Sequence, residues 1–551
     1  MADTPDKNEE IFPKLDAGQI ERLRVQGRTR HAEAGEILVE QGESIRGIFV
    51  VVSGAIEIVN PSAGNQQLIT EFHPGDFTGE VNLLSGRSSL NRVQAREASE
   101  LIEISRPDLL NIVQTDAELS EVFLRAFVLR RAYLIAHSPG DVVLVGSAHS
   151  ADTLRLRAFL SRNGYPFSYL DVERYPDIQH VLDQFEIQLN EIPVLICRGQ
   201  RILRNPPNAE VAACLDLNQH IDETTVFDLV VAGAGPSGLA AAVYAASEGL
   251  SVLVLESSAP GGQAGSSSRI ENYLGFPTGV SGQELTDRAL VQAQKFGANI
   301  TIARAATGLA CANRPFQVAL SEGGTAYGRS VIVATGAAYR RLPLERLAQF
   351  EGAGIYYGAT HVEAQLSSGQ EVAVVGGGNS AGQAAVFLSA RARHVHLLVR
   401  SAGLSETMSR YLIRRIEESP AITLRTHTQI QALRGNGRLE SIEWWNSDTG
   451  AKEVREIQHL YLMTGACPNT AWLQGCLALD GKQFIKTGMD LSAGDLDLAK
   501  WPLRRQPYLL ETSMPGVFAV GDVRSGSVKR VASAVGEGSI AVQFVHRFLA
   551  E

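Results

Sequence analysis

Between residues 33 and 105 apolar and polar positions alternate in short runs broken by glycine turns: GEILVEQGESIRGIFVVVSGAIEIVN, QLITEFHPGDFTGEVNLLSG and LIEIS. Period-two alternation at this turn spacing predicts short antiparallel strands closed into a β-roll or barrel. The next stretch, DLLNIVQTDAELSEVFLRAFVLRRAYLI, changes to i, i+3, i+4 apolar spacing and predicts a helix. DVVLVGSAHSADTLRLRAFLSRNGYPFSYLDVERYPDIQHVLDQF then reads as strand, helix, strand and helix, and EIPVLICRGQRIL as a hairpin. From residue 225 onward, apolar strands are followed by Gly- and Ala-rich helical runs and further apolar strands, as in VFDLVVAGAGPSGLAAAVYAASEGLSVLVLE and EVAVVGGGNSAGQAAVFLSARARHVHLLVRSAG. That is the pattern of α/β domains.

Length and charge narrow the classes. The 551 residues suggest three or four domains, and 44% apolar with 20% charged residues is the composition of a folded globular protein. A net charge of -10 argues against nonspecific binding to nucleic acid or to an anionic membrane. The N-terminal MADTPDKNEE has no signal-peptide pattern, and no apolar run approaches the ~20 residues that span a bilayer. A cytoplasmic location is therefore expected, as are no metal centre and no membrane or nucleic-acid partner. The five cysteines (Cys197, Cys214, Cys311, Cys467, Cys476) form no C-x-x-C, and the expectation is buried thiols in a reduced compartment.

Two segments carry recognisable chemistry. After an apolar strand come Gly233, Ala234, Gly235, Pro236, Ser237 and Gly238, then a helix, a second strand and Glu256, 18 residues past the last glycine. This is the full dinucleotide fingerprint: glycines admit the pyrophosphate to the backbone, the helix start supplies N–H donors, and the acid accepts from ribose hydroxyls. The second segment has Gly376, Gly378, Asn379, Ser380 and Ala381, and its next strand ends at Arg400 instead of an acid. An arginine there favours a 2′-phosphate, so NADPH is expected over NADH.

With PGGQ (260–263), RIENYLGFP, the ATG turn (334–336), TGACPNT, GDVRSG and KRVASAVGEGSIA, residues 225–551 resemble a low-molecular-weight thioredoxin reductase, of the class II pyridine nucleotide-disulfide oxidoreductases. The resemblance implies FAD held additionally by Gly262, Gln263, Asn272, Thr335, Gly336, Gly521, Asp522, Arg530, Val531 and Ala532, and a homodimer through the FAD domain. Residues 10–136 resemble the cyclic-nucleotide-binding roll. Glu80 of PGDFTGE matches the family's ribose-binding acid, but its phosphate-binding arginine position falls on Ser89, flanked by Arg87 and Arg92. A structural or protein-contacting role is expected ahead of cyclic-nucleotide binding. Residues 140–222 resemble a thioredoxin or glutaredoxin, which implies a cis peptide before Pro193, while Ser147, His149 and Ser150 stand where that family has its cysteines.

The expected architecture is multidomain: an all-β roll with capping helix (1–136), a thioredoxin-like α/β domain without C-x-x-C (137–222), and two Rossmann-like domains. An FAD-binding domain (223–340 and 461–551) carries an inserted NAD(P)H-binding domain (341–460).

Thioredoxin reductases place a Cys-Ala-Thr-Cys-Asp segment just before the NADPH-binding strand, where this chain has Gly358-Ala359-Thr360-His361-Val362. Three readings remain. Reduced flavin hands electrons directly to an external acceptor, such as a quinone, a small redox protein or another oxidant; this is the favoured one. Other thiols, such as Cys467 with Cys476, serve a disulfide reductase. Or the protein is a flavin-based redox sensor or scaffold regulated through the roll. His361 and Glu363 occupy the vacated segment and are the weak acid–base candidates, against the plainer reading of a polar loop.

Overall fold

The computed structural model describes residues 10–551 except 63–64, 81, 86–87, 90, 138–141, 149, 175–187, 189–190, 198–200, 219–220, 268, 313 and 474. Arg87, His149 and the side chain of His361 lie outside the described residues.

Two antiparallel sheets make the N-terminal roll, one ordered Arg28–Ala32, Ser99–Ser105, Gly47–Ser53 and the other Ile37–Val39, Arg92–Ala95, Ile56–Ser62, Asn65–Phe72. Alternation along the strands turns Ile48, Val50, Ile102 and Ile104 to one face, where Phe123 and Phe127 of helix α1 (Ala117–His137) close the core. The helix predicted as one stretch is two, because a short break at Asp116 separates Arg106–Thr115 from α1.

The next unit is a four-stranded sheet ordered Arg201–Arg204, Val194–Cys197, Val142–Gly146, Ser168–Asp171. Its last pair is parallel, which requires a crossover, and helix α2 (Ala151–Arg162) supplies it. The peptide before Pro193 is cis. At the positions where redox cysteines would stand, the Ser147 hydroxyl donates to Glu173 (2.6 Å) and Ser150 accepts from the Thr153 amide as the cap of α2.

A larger sheet follows, with parallel strands Asn299–Thr301, Val252–Leu255, Val226–Ala232, Thr325–Val333 and Val517–Ala519. An antiparallel hairpin, Ala306–Ala310 with Phe316–Leu320, extends it. The alanine-rich helix α3 (Pro236–Ser247) and the C-terminal helix Val531–Leu549 pack together over one face in a shared buried cluster. A second parallel sheet is ordered Ile355–Tyr356, His459–Leu462, Glu371–Val375, His394–Leu398, Ile422–Arg425, with helix α4 (Asn379–Ser389) on it. Ala337–Tyr339 pairs antiparallel with Ala466–Pro468 and joins the two α/β units. Among the described residues no helix is long and apolar enough to cross a membrane, and no group of three or more His, Cys, Asp or Glu could hold a metal ion.

The cysteines correct the sequence reading. Cys311 is bonded to Cys476, with Cα atoms 5.9 Å apart and a sequence separation of 165. The expectation of reduced thiols throughout fails for these two, and Cys467, exposed, is not the partner of Cys476. The cause is topological. The Ala306–Ala310 hairpin packs on the 3₁₀ turn Ala471–Leu473, bringing Leu309 and Trp472 into one cluster, and local spacing carries no trace of such a meeting.

Candidate functional site: two glycine cradles and a wedge

The strand ends of the larger sheet converge at its carboxyl edge, where an open α/β sheet receives its ligand. Gly233 ends Val226–Ala232 with φ +105°, and a Cβ there would strike the Ala334 carbonyl. A Cβ on Gly238 would strike the Gly233 carbonyl. Only glycine lets the strand, the Ala334–Gly336 turn and α3 approach this closely. At Gly235, by contrast, a Cβ would find nothing nearer than the Gly262 Cα at 3.9 Å. No side chain caps α3 at this residue, so its first-turn N–H groups and the positive end of its dipole are offered outward.

Glu256, 6% exposed, accepts from the Ala234 amide (2.9 Å) and the Ser258 amide (2.8 Å). Thr335 and Gly336 are tied to the TGACPNT segment: the Thr335 hydroxyl donates to the Asn469 carbonyl (2.8 Å), and the Asn469 amide donates to the Gly336 carbonyl (3.0 Å). The Gln263 side chain donates to the Ala337 carbonyl. Ser237 is buried against Gly521, whose amide donates to Glu537 (2.7 Å). Burial pushes the Asp522 carboxyl above its ordinary value, opposed by Lys529, 4.0 Å away. Val531 and Ala532 open the C-terminal helix, and Arg530 provides it no side-chain cap. Asn272 stands exposed between the bridged residues Ile270 and Val280.

The second sheet repeats the design. Gly376 has φ +148° and packs on the Met463 carbonyl, Ala381 is fully buried, and α4 starts at Gly378 without a side-chain cap. Asn379 accepts from the Ser409 amide (2.7 Å), which orients the first turn. Arg400 follows the strand His394–Leu398, exposed, with no ion-pair partner among the described residues. Ser401 beside it donates to the Gly403 carbonyl (2.7 Å).

Between the cradles lies the segment without cysteines. It forms a short helix, His361–Leu366, and the Glu363 carboxylate accepts from both the amide (3.0 Å) and the hydroxyl of Thr360. That contact supports the plainer reading of Glu363, and the sequence held its signal: Thr-x-x-Glu is a capping-box pattern.

Sequence reasoning missed the element lying against this segment. Leu154 of α2 shares a buried cluster with Tyr356, Ala359 and Ala364, and Ala151 abuts Gly352 so closely that a Cβ there would overlap it. At the other end of α2, Arg162 donates to the carbonyls of Gly262 (3.0 Å) and Ala259 (3.4 Å), and Asn163 donates to that of Ser258 (3.3 Å). Gln283 donates to the Arg162 carbonyl (3.2 Å). Burial lowers the Arg162 pKa, and the charges of Glu256 and Glu363 oppose that shift. The helix therefore wedges between the first cradle and the vacated segment, with a cation at its tip.

Residues 227–538 match the pyridine nucleotide-disulphide oxidoreductase family, over more than half the chain. The chain belongs to that family. Residues 29–116 match the cyclic nucleotide-binding domain. NADPH-dependent thioredoxin reductase 3 of Arabidopsis thaliana is 34% identical over 329 residues, 58% of this chain and 58% of that protein. Thioredoxin reductase of Mycolicibacterium smegmatis is 29% identical over 59% of this chain and 98% of its own length. Crystal structures of thioredoxin reductases from Lactococcus lactis (FR conformation) and T. acidophilum superpose with TM-scores of 0.53 and 0.52 at 25% and 27% identity, each covering 59% of this chain and 99% of the other. Family membership makes this a thioredoxin-reductase-like oxidoreductase, a type whose cofactors are FAD and NADPH. Two glycine cradles with uncapped helix starts, one backed by an acid and one by an arginine, fit that pair.

Proposed function

We propose that the chain takes a hydride from NADPH onto FAD and passes the electrons to an external acceptor without an internal dithiol. FAD, when bound, supplies the redox chemistry, accepting hydride from the nicotinamide and releasing two electrons to a quinone, a small redox protein or another oxidant. The protein's part is binding and orientation. In this reading the domains are those bounded at 136, 222, 340 and 460, the second of them thioredoxin-like. The Gly233–Gly238 turn and α3 hold the FAD pyrophosphate, Glu256 the ribose, and Asp522 with Gln263 the flavin end. Gly376, Gly378 and the start of α4 hold the NADPH pyrophosphate, and Arg400 its 2′-phosphate. The observation that carries the reading is the pair of cradles flanking a segment, 358–362, that has no cysteine.

Two substitutions follow from named contacts. Arg162→Ala removes charged donors from the Ala259 and Gly262 carbonyls. A hydrogen bond to a charged group contributes about 1.5–3 kcal/mol, so FAD should bind roughly ten to a hundred times more weakly, read by flavin fluorescence on titrating apoprotein. Arg400→Glu should lower kcat/KM for NADPH relative to NADH by roughly tenfold, a modest change because the residue is exposed.

The Cys311–Cys476 bond favours a second reading, in which that disulfide takes two electrons and two protons and reduces a thioredoxin-like protein by exchange. Anaerobic mixing with NADPH, then an acceptor panel of a quinone, a ferredoxin and a thioredoxin, separates the two. Flavin bleaching with quinone turnover that is equal in wild type and C311S/C476S supports the proposal. Thioredoxin turnover that vanishes in C311S/C476S supports the second reading, and flavin that NADPH does not bleach defeats both.

A further inference from the structure

The N-terminal roll holds a cavity, open at its mouth, lined from both sheets and from α1. Most of the wall is hydrocarbon, including Val39, Ile45, Phe49, Ile58, Ile69 and Val93. Into this wall projects a cation. Arg130 of α1 lines the cavity while only 4% exposed. Its Nη1 donates to the carbonyls of Phe77 (2.7 Å) and Gly79 (3.2 Å), and its Nε to that of Ile11 (2.9 Å). The guanidinium lies 4.4 Å from the Phe77 ring centre and 5.3 Å from those of Phe12 and Phe72. Nη2 is buried and has no hydrogen-bond partner among the described residues.

The surrounding charges leave that donor unanswered. Asp76, buried, accepts from the His73 amide (2.7 Å) and acts on Arg130 through space. Glu80, which also lines the cavity, lies 3.8 Å from Arg131, on the same helix. Burial lowers Arg130 to about 9, so it carries its proton at neutral pH. A buried cation with a spare N–H group in a low-dielectric pocket gains most from an anion that brings its own apolar body. A cyclic nucleotide brings instead a polar base, a ribose and a phosphodiester. The Ser89 hydroxyl, at the expected phosphate position, donates to the Asn91 carbonyl (2.7 Å).

We infer that the roll binds an apolar organic anion, a monocarboxylate with an aliphatic or aromatic body, with Arg130 Nη2 on the carboxylate and the hydrocarbon wall around the rest. Calorimetry on the full-length protein with octanoate, 1-octanol and cyclic AMP tests this. Octanoate should bind at least about tenfold more tightly than the alcohol of equal length, the worth of one charge-assisted hydrogen bond, and cyclic AMP should not displace it. Arg130→Met should erase the preference for the acid over the alcohol. Because that variant also loses three backbone contacts, Ile58→Trp serves as a second: it fills the cavity, keeps every Arg130 bond and should abolish octanoate binding with the thermal midpoint unchanged. Equal binding of acid and alcohol, no octanoate binding, octanoate binding that survives Ile58→Trp, or displacement by cyclic AMP would each overturn the inference. All four are read on the roll and do not depend on flavin or NADPH.

Discussion

Gly235→Val is expected to yield folded, colourless protein. The backbone at Gly235 is extended, with φ -71° and ψ -178°, so valine adopts it without strain, and the nearest protein atom to its Cβ is 3.9 Å away. The protein has room for an added Cβ here, but a pyrophosphate on the α3 start leaves none. Displacing it loses two or more charged hydrogen bonds, about 1.5–3 kcal/mol each, so FAD affinity should fall roughly 10²–10⁴-fold. Flavin absorbance of the purified protein, beside its circular dichroism, reads both halves of the expectation. Gly238→Val lacks this separation, because its Cβ would collide with the Gly233 carbonyl and the fold would suffer as well.

Gly378→Val should do the same to the second cradle and leave the first intact. Its backbone is also extended (φ -94°, ψ 177°), and the nearest atom to its Cβ is the Thr407 carbonyl oxygen at 4.0 Å. The purified variant should be yellow and thermally unchanged, with KM for NADPH raised roughly a hundredfold or more on the same arithmetic. Stopped-flow bleaching at rising NADPH measures it. A yellow variant that bleaches like wild type would mean the nicotinamide cofactor does not use α4.

The cradles were legible because their chemistry is enforced by sterics at short range: a glycine that must admit a neighbouring carbonyl, as at Gly233 and Gly376, leaves a mark within one strand, turn and helix. The rolled strands and the capping helix were legible for the same reason, since period two and period 3.6 are local. What escaped was tertiary. Arg162 belongs to the helix over the four-stranded sheet while the loop it contacts belongs to the larger sheet, and nothing in SRNGYP distinguishes it from a solvated arginine. Cys311 and Cys476 meet only because a hairpin folds back on a turn 165 residues later. Arg130 looked like one of several cations in FVLRRAYLI until α1 turned it beneath three phenylalanine rings. Glu363 is the opposite case, a residue raised as an acid–base candidate although Thr360, three positions earlier, already offered it a capping role.

The wedge of α2 gives the missing dithiol a physical setting. Leu154 packs on the segment that would carry the cysteines, and Arg162 holds the loop beneath the first cradle. A helix of the four-stranded unit thus occupies, in the same chain, the neighbourhood of the segment 358–362. In the proposed function, reducing equivalents leaving the flavin go to a molecule that arrives from outside.

The most direct measurement is the stoichiometry of an anaerobic NADPH titration of the holoprotein. A flavin with no internal dithiol in communication stores two electrons, so bleaching should be complete at one NADPH per flavin. An endpoint at two NADPH per flavin, returning to one in C311S/C476S, would contradict the account by showing a disulfide in the electron path.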